Sequence, residues 1–159
     1  MHKTALFAGS FDPFTTGHRA VVEQALGLFD EVVVAIGHNS EKTGLLPVSA
    51  RLDLIRDVYR GQDRVRICAY EGLTGDFCRK NGIGVLVRGI RNGSDFEFEH
   101  NMEIINRTLY PEITTVFLCT PQQYAAVSSS VIREILGFGG DVSGFLPEGI
   151  DISKYLKHI

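Results

Sequence analysis

The chain has 159 residues, 44% hydrophobic and 22% charged, with sixteen Lys and Arg against nineteen Asp and Glu for a formal charge of −3. That length predicts one domain over residues 1–159 with one hydrophobic core, and the composition excludes disordered and fibrous classes. The acidic balance excludes broad attraction to nucleic acid or an anionic membrane, so an anionic ligand has to meet a local basic cluster.

Five short apolar runs read as strands: Thr4 to Ala8, Glu31 to Ile36, Val65 to Ala69, Val85 to Val87 and Thr114 to Leu118. They are near-continuous rather than alternating, which suits strands buried on both faces of a parallel sheet. Met1 to Thr4 leads straight into the first run and every apolar stretch is short. The sequence therefore predicts neither a spanning helix nor a secretory leader, and a cytoplasmic protein is expected.

Helical spacing fills the gaps. Val21, Val22, Ala25, Leu26 and Phe29 form one stripe between Gly17 and Phe29, and Leu52, Ile55 and Tyr59 another between Val48 and Tyr59. Ser94 with Glu97 three residues on predicts a capping box, followed by a stripe of Phe98, Met102, Ile105 and Leu109. Ser130 to Leu136 and Ile152 to Lys157 give two shorter helices, the second capped by Asp151. Alternating strands and helices predict a single-domain, Rossmann-like, doubly wound α/β sheet of five parallel strands.

In such a sheet ligands bind outside the carboxyl ends of the strands. The loops concerned start at Gly9, Gly37, Tyr70, Arg88 and Cys119. Cys68, Cys78 and Cys119 lack the paired spacing of a zinc site or disulfide framework and read as buried thiols.

The first loop, Gly9 to His18, has neither the dinucleotide fingerprint nor the P-loop spacing. Gly9 permits close backbone approach, and Gly17-His18 opens a helix whose free amides attract phosphate, with His18 an added donor. Arg88 and Arg91 flank Gly89 at the end of a strand; their guanidinium forks suit phosphoryl oxygens, the alternative being surface pairing with Asp95 or Glu97. Glu99 fits two readings, a solvated carboxylate or a contact to ribose or adenine. Ser128, Ser129 and Ser130 serve either as a helix cap or as an anion site, and Lys42 lies in a loop from His38 to Pro47.

Taken together, Gly9 to His18, Arg88 to Glu99, Val127 to Arg133 and Gly140 to Pro147 resemble the bacterial phosphopantetheine adenylyltransferase family nearly end to end. The Thr15-Thr16-Gly17-His18 segment is similar to the His-x-Gly-His signature of the wider nucleotidylyltransferase superfamily. The resemblance implies transfer of the adenylyl group of ATP to 4′-phosphopantetheine, giving dephospho-coenzyme A and pyrophosphate. It also implies Mg2+ accompanying ATP without a protein ligand, a homohexamer, and coenzyme A as a feedback ligand.

Position by position, the resemblance assigns catalysis to His18, Lys42 and Arg91, with His18 stabilising the transition state. ATP falls to Ser10, Phe11, His18, Gly89, Ile90, Arg91 and Glu99, and to the run Tyr124, Ala125, Ala126, Val127, Ser128, Ser129 and Ser130. Phosphopantetheine falls to Ser10, Lys42, Leu73 or Thr74, Arg88 and Glu134. The chain departs from the family pattern at Leu46, where phenylalanine is usual, and at Ala50, where glutamate is common; different packing of that loop is expected. Another phosphorylated acceptor, or a non-catalytic nucleotide-binding module, would be the rival functions.

Overall fold

In the computed structural model, which describes residues 1–157, β1 (Thr4–Gly9), β2 (Glu31–His38), β3 (Val65–Glu71), β4 (Val85–Ile90) and β5 (Thr114–Cys119) pair in the order β3-β2-β1-β4-β5. Every pairing is parallel. The strands begin where the apolar runs begin and extend one to three residues beyond the predicted ends, because the polar or glycine residues there still find ladder partners.

Alternation along β1 and β2 divides the core into two layers. Ala5, Phe7, Val32, Val34 and Ile36 face α1 (Thr16–Leu26) and α2 (Val48–Val58), packing on Val21, Val22, Ala25, Leu54 and Ile55. Leu6, Ala8, Val33 and Ala35 face the opposite layer with Cys78, Ile83, Leu86, Tyr110 and Ile113. Both faces are therefore closed, which explains why the strand sequences do not alternate in polarity.

That second layer is built partly by α3 (Thr74–Lys80), a helix the sequence pattern does not announce. It has seven residues, no side-chain cap, and only Gly75 and Cys78 buried, too short a segment to display a period of 3.6. Helix α1 stops at Leu26, before the predicted end at Phe29, with Gly27 as its C-cap.

Helix α4 (Gly93–Leu109) starts from Asn92, whose side chain accepts from the Asp95 amide at 2.9 Å, so the predicted Ser94–Glu97 box is not its cap. The Asn92 backbone is extended and Ser94 already lies inside the helix, which rules Ser94 out as the boundary. The stripe of Phe98, Met102, Ile105 and Leu109 does not join the core; α4 contains no buried residue and Phe98 is 64% exposed.

Helix α5 spans Ser129–Gly137, and α6 spans Ser153–Leu156, where Asp151 receives the Ser153 amide at 3.0 Å although Ile152 occupies the cap position. No helix among the described residues is long and apolar enough to cross a membrane.

Candidate active site

The sheet order reverses direction at β1, which lies between β2 and β4. The crevice that such a reversal opens at the carboxyl ends of the strands is bordered here by Gly9-Ser10 and by Arg88 to Arg91. Immediately after β1, Phe11 adopts φ 47°, a left-handed conformation that costs a non-glycine residue ~1–2 kcal/mol. Its ring is held there by burial among Phe7, Phe14 and His18, with centroids 5.2, 5.3 and 5.0 Å away. A Cβ on Gly9 would stand 2.9 Å from Phe11 Cε1, so glycine is what allows this ring to fold back on the strand end.

The turn leads into α1 through Thr15, a buried N-cap with extended backbone. Its Oγ1 accepts from the His18 amide at 3.2 Å, while its own amide donates to His18 Nδ1 at 3.0 Å. Histidine thus takes the place that Glu or Gln usually fills in a capping box. Because a main-chain N–H can only donate, Nδ1 must be the unprotonated nitrogen and Nε2 carries the hydrogen. Burial, then the charges of Arg91 and Arg88, lowers the His18 pKa to about 3. The ring is consequently neutral at physiological pH and presents a single, oriented Nε2–H donor.

His18 lines a cavity of about 310 Å³ together with Ser10, Phe11, Arg88, Gly89 and Arg91. Glu99, Val127, Ser128, Ser129 and Ser130 close its other walls. A second, larger cavity of about 1020 Å³ is lined by Lys42, Thr74, Tyr70, Asp12, Arg51 and Arg133. Gly9, Ser10 and Arg88 line both, so the two chambers meet at the end of β1. Arg88 also borders a third, smaller cavity with Thr74, Glu99, Phe98 and Met102.

Both arginines are engaged by α4. Arg88 holds Glu99 through two hydrogen bonds of 2.8 and 2.6 Å and donates to the Ala8 carbonyl at 2.7 Å. Glu99 is therefore not free in solvent: it orients Arg88. Arg91 grips Asp95 at 2.8 and 3.1 Å, the pairing that the sequence leaves open, and this contact holds the Asp95 carboxyl below its ordinary range. Residues 95 and 99 lie one turn apart, so a single helix face sets both guanidinium planes.

Of the two readings of the serine run, the helix cap is realised. Ser128 caps α5 by accepting the Val131 amide at 3.2 Å, Ser129 donates to the Pro13 carbonyl at 2.8 Å, and all three serines line the histidine cavity. Ile90, Tyr124, Ala125, Ala126 and Glu134 are not among the residues lining the three cavities, and Leu73 is 59% exposed while its neighbour Thr74 lines the larger chamber. Tyr124 to Ala126 still border α1 through the Tyr124 carbonyl, 3.7 Å from where a Gly17 Cβ would stand.

The sequence reading missed Asp12, Arg51, Arg133 and Tyr70. Asp12 and Arg133 lie inside the motifs that prompted the functional reading and Tyr70 starts one of the ligand-side loops, although none was given a role, whereas nothing local ties Arg51 to the site. Cys119, expected buried, is exposed because it ends the edge strand β5. Cys68 is half-buried and Cys78 fully so; burial raises both thiols, Cys78 to about 11, so neither is a nucleophile at neutral pH. Among the described residues no group of three or more His, Cys, Asp or Glu is arranged to hold a metal ion.

A sheet-crevice cavity of about 310 Å³ with a neutral histidine donor and two arginines sits in an α/β fold of which residues 6–135 match the cytidylyltransferase-like family, to which the chain belongs. Fold comparison agrees: a bifunctional NMN adenylyltransferase/ADP ribose pyrophosphatase from Francisella tularensis superposes with TM-score 0.76 at 17% identity, over 99% of this chain and 49% of that one. Curated relatives narrow the class. A phosphopantetheine adenylyltransferase of Porphyromonas gingivalis is 49% identical over 91% of this chain and 94% of its own, and that of Cytophaga hutchinsonii is 42% identical over 92% and 98%. The chain belongs to the phosphopantetheine adenylyltransferase family.

Proposed function

We propose that the protein transfers the adenylyl group of ATP to 4′-phosphopantetheine, forming dephospho-coenzyme A and pyrophosphate. The observation that carries this reading is the pair of chambers joined at Gly9, Ser10 and Arg88, one holding His18 and the other Lys42. Two polyanionic substrates could meet at that junction, and membership of the family supports the choice of acceptor.

The acceptor phosphate oxygen attacks the α-phosphorus of ATP, a new P–O bond forms, and the bond to the β-phosphate oxygen breaks in line with it. The nucleophile is already ionised, so no general base is required, and no covalent enzyme intermediate forms. Catalysis then rests on positioning and on charge stabilisation. His18 supplies its Nε2–H to a phosphoryl oxygen; Lys42 and Arg91 offset charge as pyrophosphate develops. Ser10, Phe11, Gly89 and Val127 to Ser130, which line the histidine chamber, serve ATP, and Thr74 and Arg88, which line the larger one, serve phosphopantetheine.

The carboxylates in the chamber walls, Asp12, Asp95 and Glu99, are engaged by main-chain amides or arginines, while Lys42, Arg88 and Arg91 suit phosphate oxygens, so Mg2+ would arrive on the nucleotide. Bound there, Mg2+ would neutralise charge on the leaving pyrophosphate. A cytoplasmic location, feedback by coenzyme A as a ligand resembling the product, and absence of nucleic-acid or membrane partners complete the reading. The exposed apolar stripe along α4 supports assembly with further copies of the chain, which a homohexamer would supply.

Pyrophosphate release measured with ATP and a panel of acceptors, with and without Mg2+, tests the proposal. Release with phosphopantetheine and not with nicotinamide mononucleotide is expected; release with another acceptor alone would reassign the substrate, and release with none would leave a binding module.

A further inference from the structure

In the wall of the larger chamber lies an ion pair whose hydrogen bonds run to main chain rather than into the open space. Asp12 and Arg51 are only 5% and 7% exposed, with Arg51 Nε 3.7 Å from Asp12 Oδ1. Their stronger contacts go to main chain. Asp12 accepts the amides of Leu45 and Leu46 at 2.7 and 2.8 Å, and Arg51 donates to the Leu46 carbonyl at 2.7 Å and the Ser10 carbonyl at 3.1 Å. Arg133, on α5, donates to the Asp12 carbonyl at 2.8 Å.

These bonds join the loop after β1, the loop carrying Lys42 with the helix α2 that follows it, and α5. Gly44 makes the arrangement sterically specific. A Cβ there would fall 2.5 Å from Asp12 Oδ2 and 2.6 Å from Arg51 Nη2, so the backbone of the Lys42 loop passes directly over the pair. Leu46 is fully buried in the core just beyond, which anchors the same loop from its apolar side.

We infer that Asp12, Arg51 and Gly44 are positioning residues: a buried clamp that fixes the Lys42 loop against the loop of Ser10 and His18. The idea rests on the reading of Lys42 as a phosphate-facing group. A displacement of about 1 Å in such a group can cost roughly 100-fold in rate, so a clamp of this geometry controls turnover through the placement of Lys42. The carboxylate is suited to the task because it accepts two consecutive amides while the guanidinium supplies a planar fork to two carbonyls. An apolar pair could fill the space but could not pair those four main-chain groups.

The test uses the full chain with Gly44→Ala and Arg51→Lys, both of which retain the opposing charges, and a double-mutant cycle with Lys42→Ala. Each clamp variant is expected to lower kcat/KM for phosphopantetheine about 10- to 100-fold while the ATP dissociation constant stays within about threefold. Combining either with Lys42→Ala should give a loss close to that of Lys42→Ala alone, since a misplaced lysine and a missing one remove the same contact. Amide exchange at Leu45 and Leu46 supplies a readout independent of activity: protection in the wild type, lost in Gly44→Ala.

Losses that multiply fully in the cycle, or undiminished protection of both amides in Gly44→Ala, would overturn the clamp. A wild-type protein that releases no pyrophosphate yet shows the exchange pattern would instead overturn the functional reading and leave the clamp as a property of the loop. A clamp variant that fails to fold is replaced by Arg133→Met, which removes the α5 tie to the Asp12 carbonyl along with the Arg133 bond to Ser130 and is expected to give a smaller loss of the same kind; unchanged kcat/KM together with unchanged exchange there would count against the inference.

Discussion

The main-chain amide of Thr15 donates to Nδ1 of His18 at 3.0 Å, and the His18 amide returns a bond to Thr15 Oγ1 at 3.2 Å. This reciprocal cap fixes the tautomer of the ring and aims it in the same stroke. A histidine whose Nδ1 is occupied by an obligate donor and whose proton affinity is reduced by burial is a directed neutral donor, not a proton shuttle.

Two consequences follow for His18. Replacement by Ala should lower kcat roughly 100- to 1,000-fold, as for one lost oxyanion donor, with ATP binding changed far less. Turnover that survives the substitution would remove His18 from the mechanism. In the wild type the rate should show no inflection from His18 above about pH 5, because the ring stays neutral there.

The same shift predicts an acid sensitivity of the fold. The folded-state pKa of His18 is depressed, so below about pH 6.5 the unfolded chain binds a proton that the folded chain does not. Stability is therefore lost as pH falls through that window, by at most about 1.4 kcal/mol per pH unit from this group. Melting temperatures of wild type and His18→Gln between neutral pH and mild acid should diverge, the wild type falling more steeply. Parallel curves would contradict the buried, neutral histidine.

Arg88 and Glu99 form a unit that a charge-neutral change can loosen. Arg88→Ala should raise KM for phosphopantetheine about 10- to 150-fold, the worth of a hydrogen bond to a charged group, with KM for ATP little altered. Glu99→Gln keeps the shape but frees the guanidinium to sample other rotamers, and should give a smaller shift in the same direction. An effect of Arg88→Ala confined to ATP would mean that the two arginines have been assigned to the wrong substrates.

Gly9→Ala would set a methyl group 2.9 Å from the Phe11 ring, which Phe7, Phe14 and His18 already enclose. The ring is buried at 2% exposure, and Phe11 already holds a left-handed backbone. A loss of about 1–3 kcal/mol in stability is expected from the overpacking, together with reduced turnover because Phe11 abuts His18. Denaturant unfolding and pyrophosphate release on the same preparation would measure both.

How much of this could be read from the residues alone depended on sequence distance. The strands were legible because a doubly buried strand announces itself as a continuous apolar run, and the loops at their ends led to His18, Lys42, Arg88 and Arg91. Helix α3 was invisible because seven residues with two buried positions show no period. The cap of α4 was misread by two residues because Ser94 with Glu97 imitates the pattern that Asn92 fulfils. The clamp of Asp12 and Arg51 joins residues 39 positions apart, and no local rule pairs a loop carboxylate with a distant helix arginine. Its nearest trace was Leu46: its departure from the usual phenylalanine predicted different packing of the loop, and Leu46 is fully buried at 0% exposure.

The stripe on α4 gives the last prediction. Phe98, Met102, Ile105 and Leu109 recur at the spacing of a core-facing helix, yet they are 64%, 39%, 52% and 55% exposed. A surface of that kind is stable in solution only when another surface covers it, and the proposed hexamer supplies one from a second copy. Ile105→Asp adds a charge to the centre of the stripe without disturbing the fold, because α4 contributes no buried residue to the chain's own core. Sedimentation of the wild type should give about six times the 17.6 kDa chain mass, and Ile105→Asp should fall to smaller species while its circular dichroism stays native. A wild type that sediments as a single chain would refute the hexamer. A variant that keeps the full mass would move the interface to a different face. Since Phe98 and Met102 also border the cavity beside Arg88, dissociation should lower phosphopantetheine turnover as well as mass.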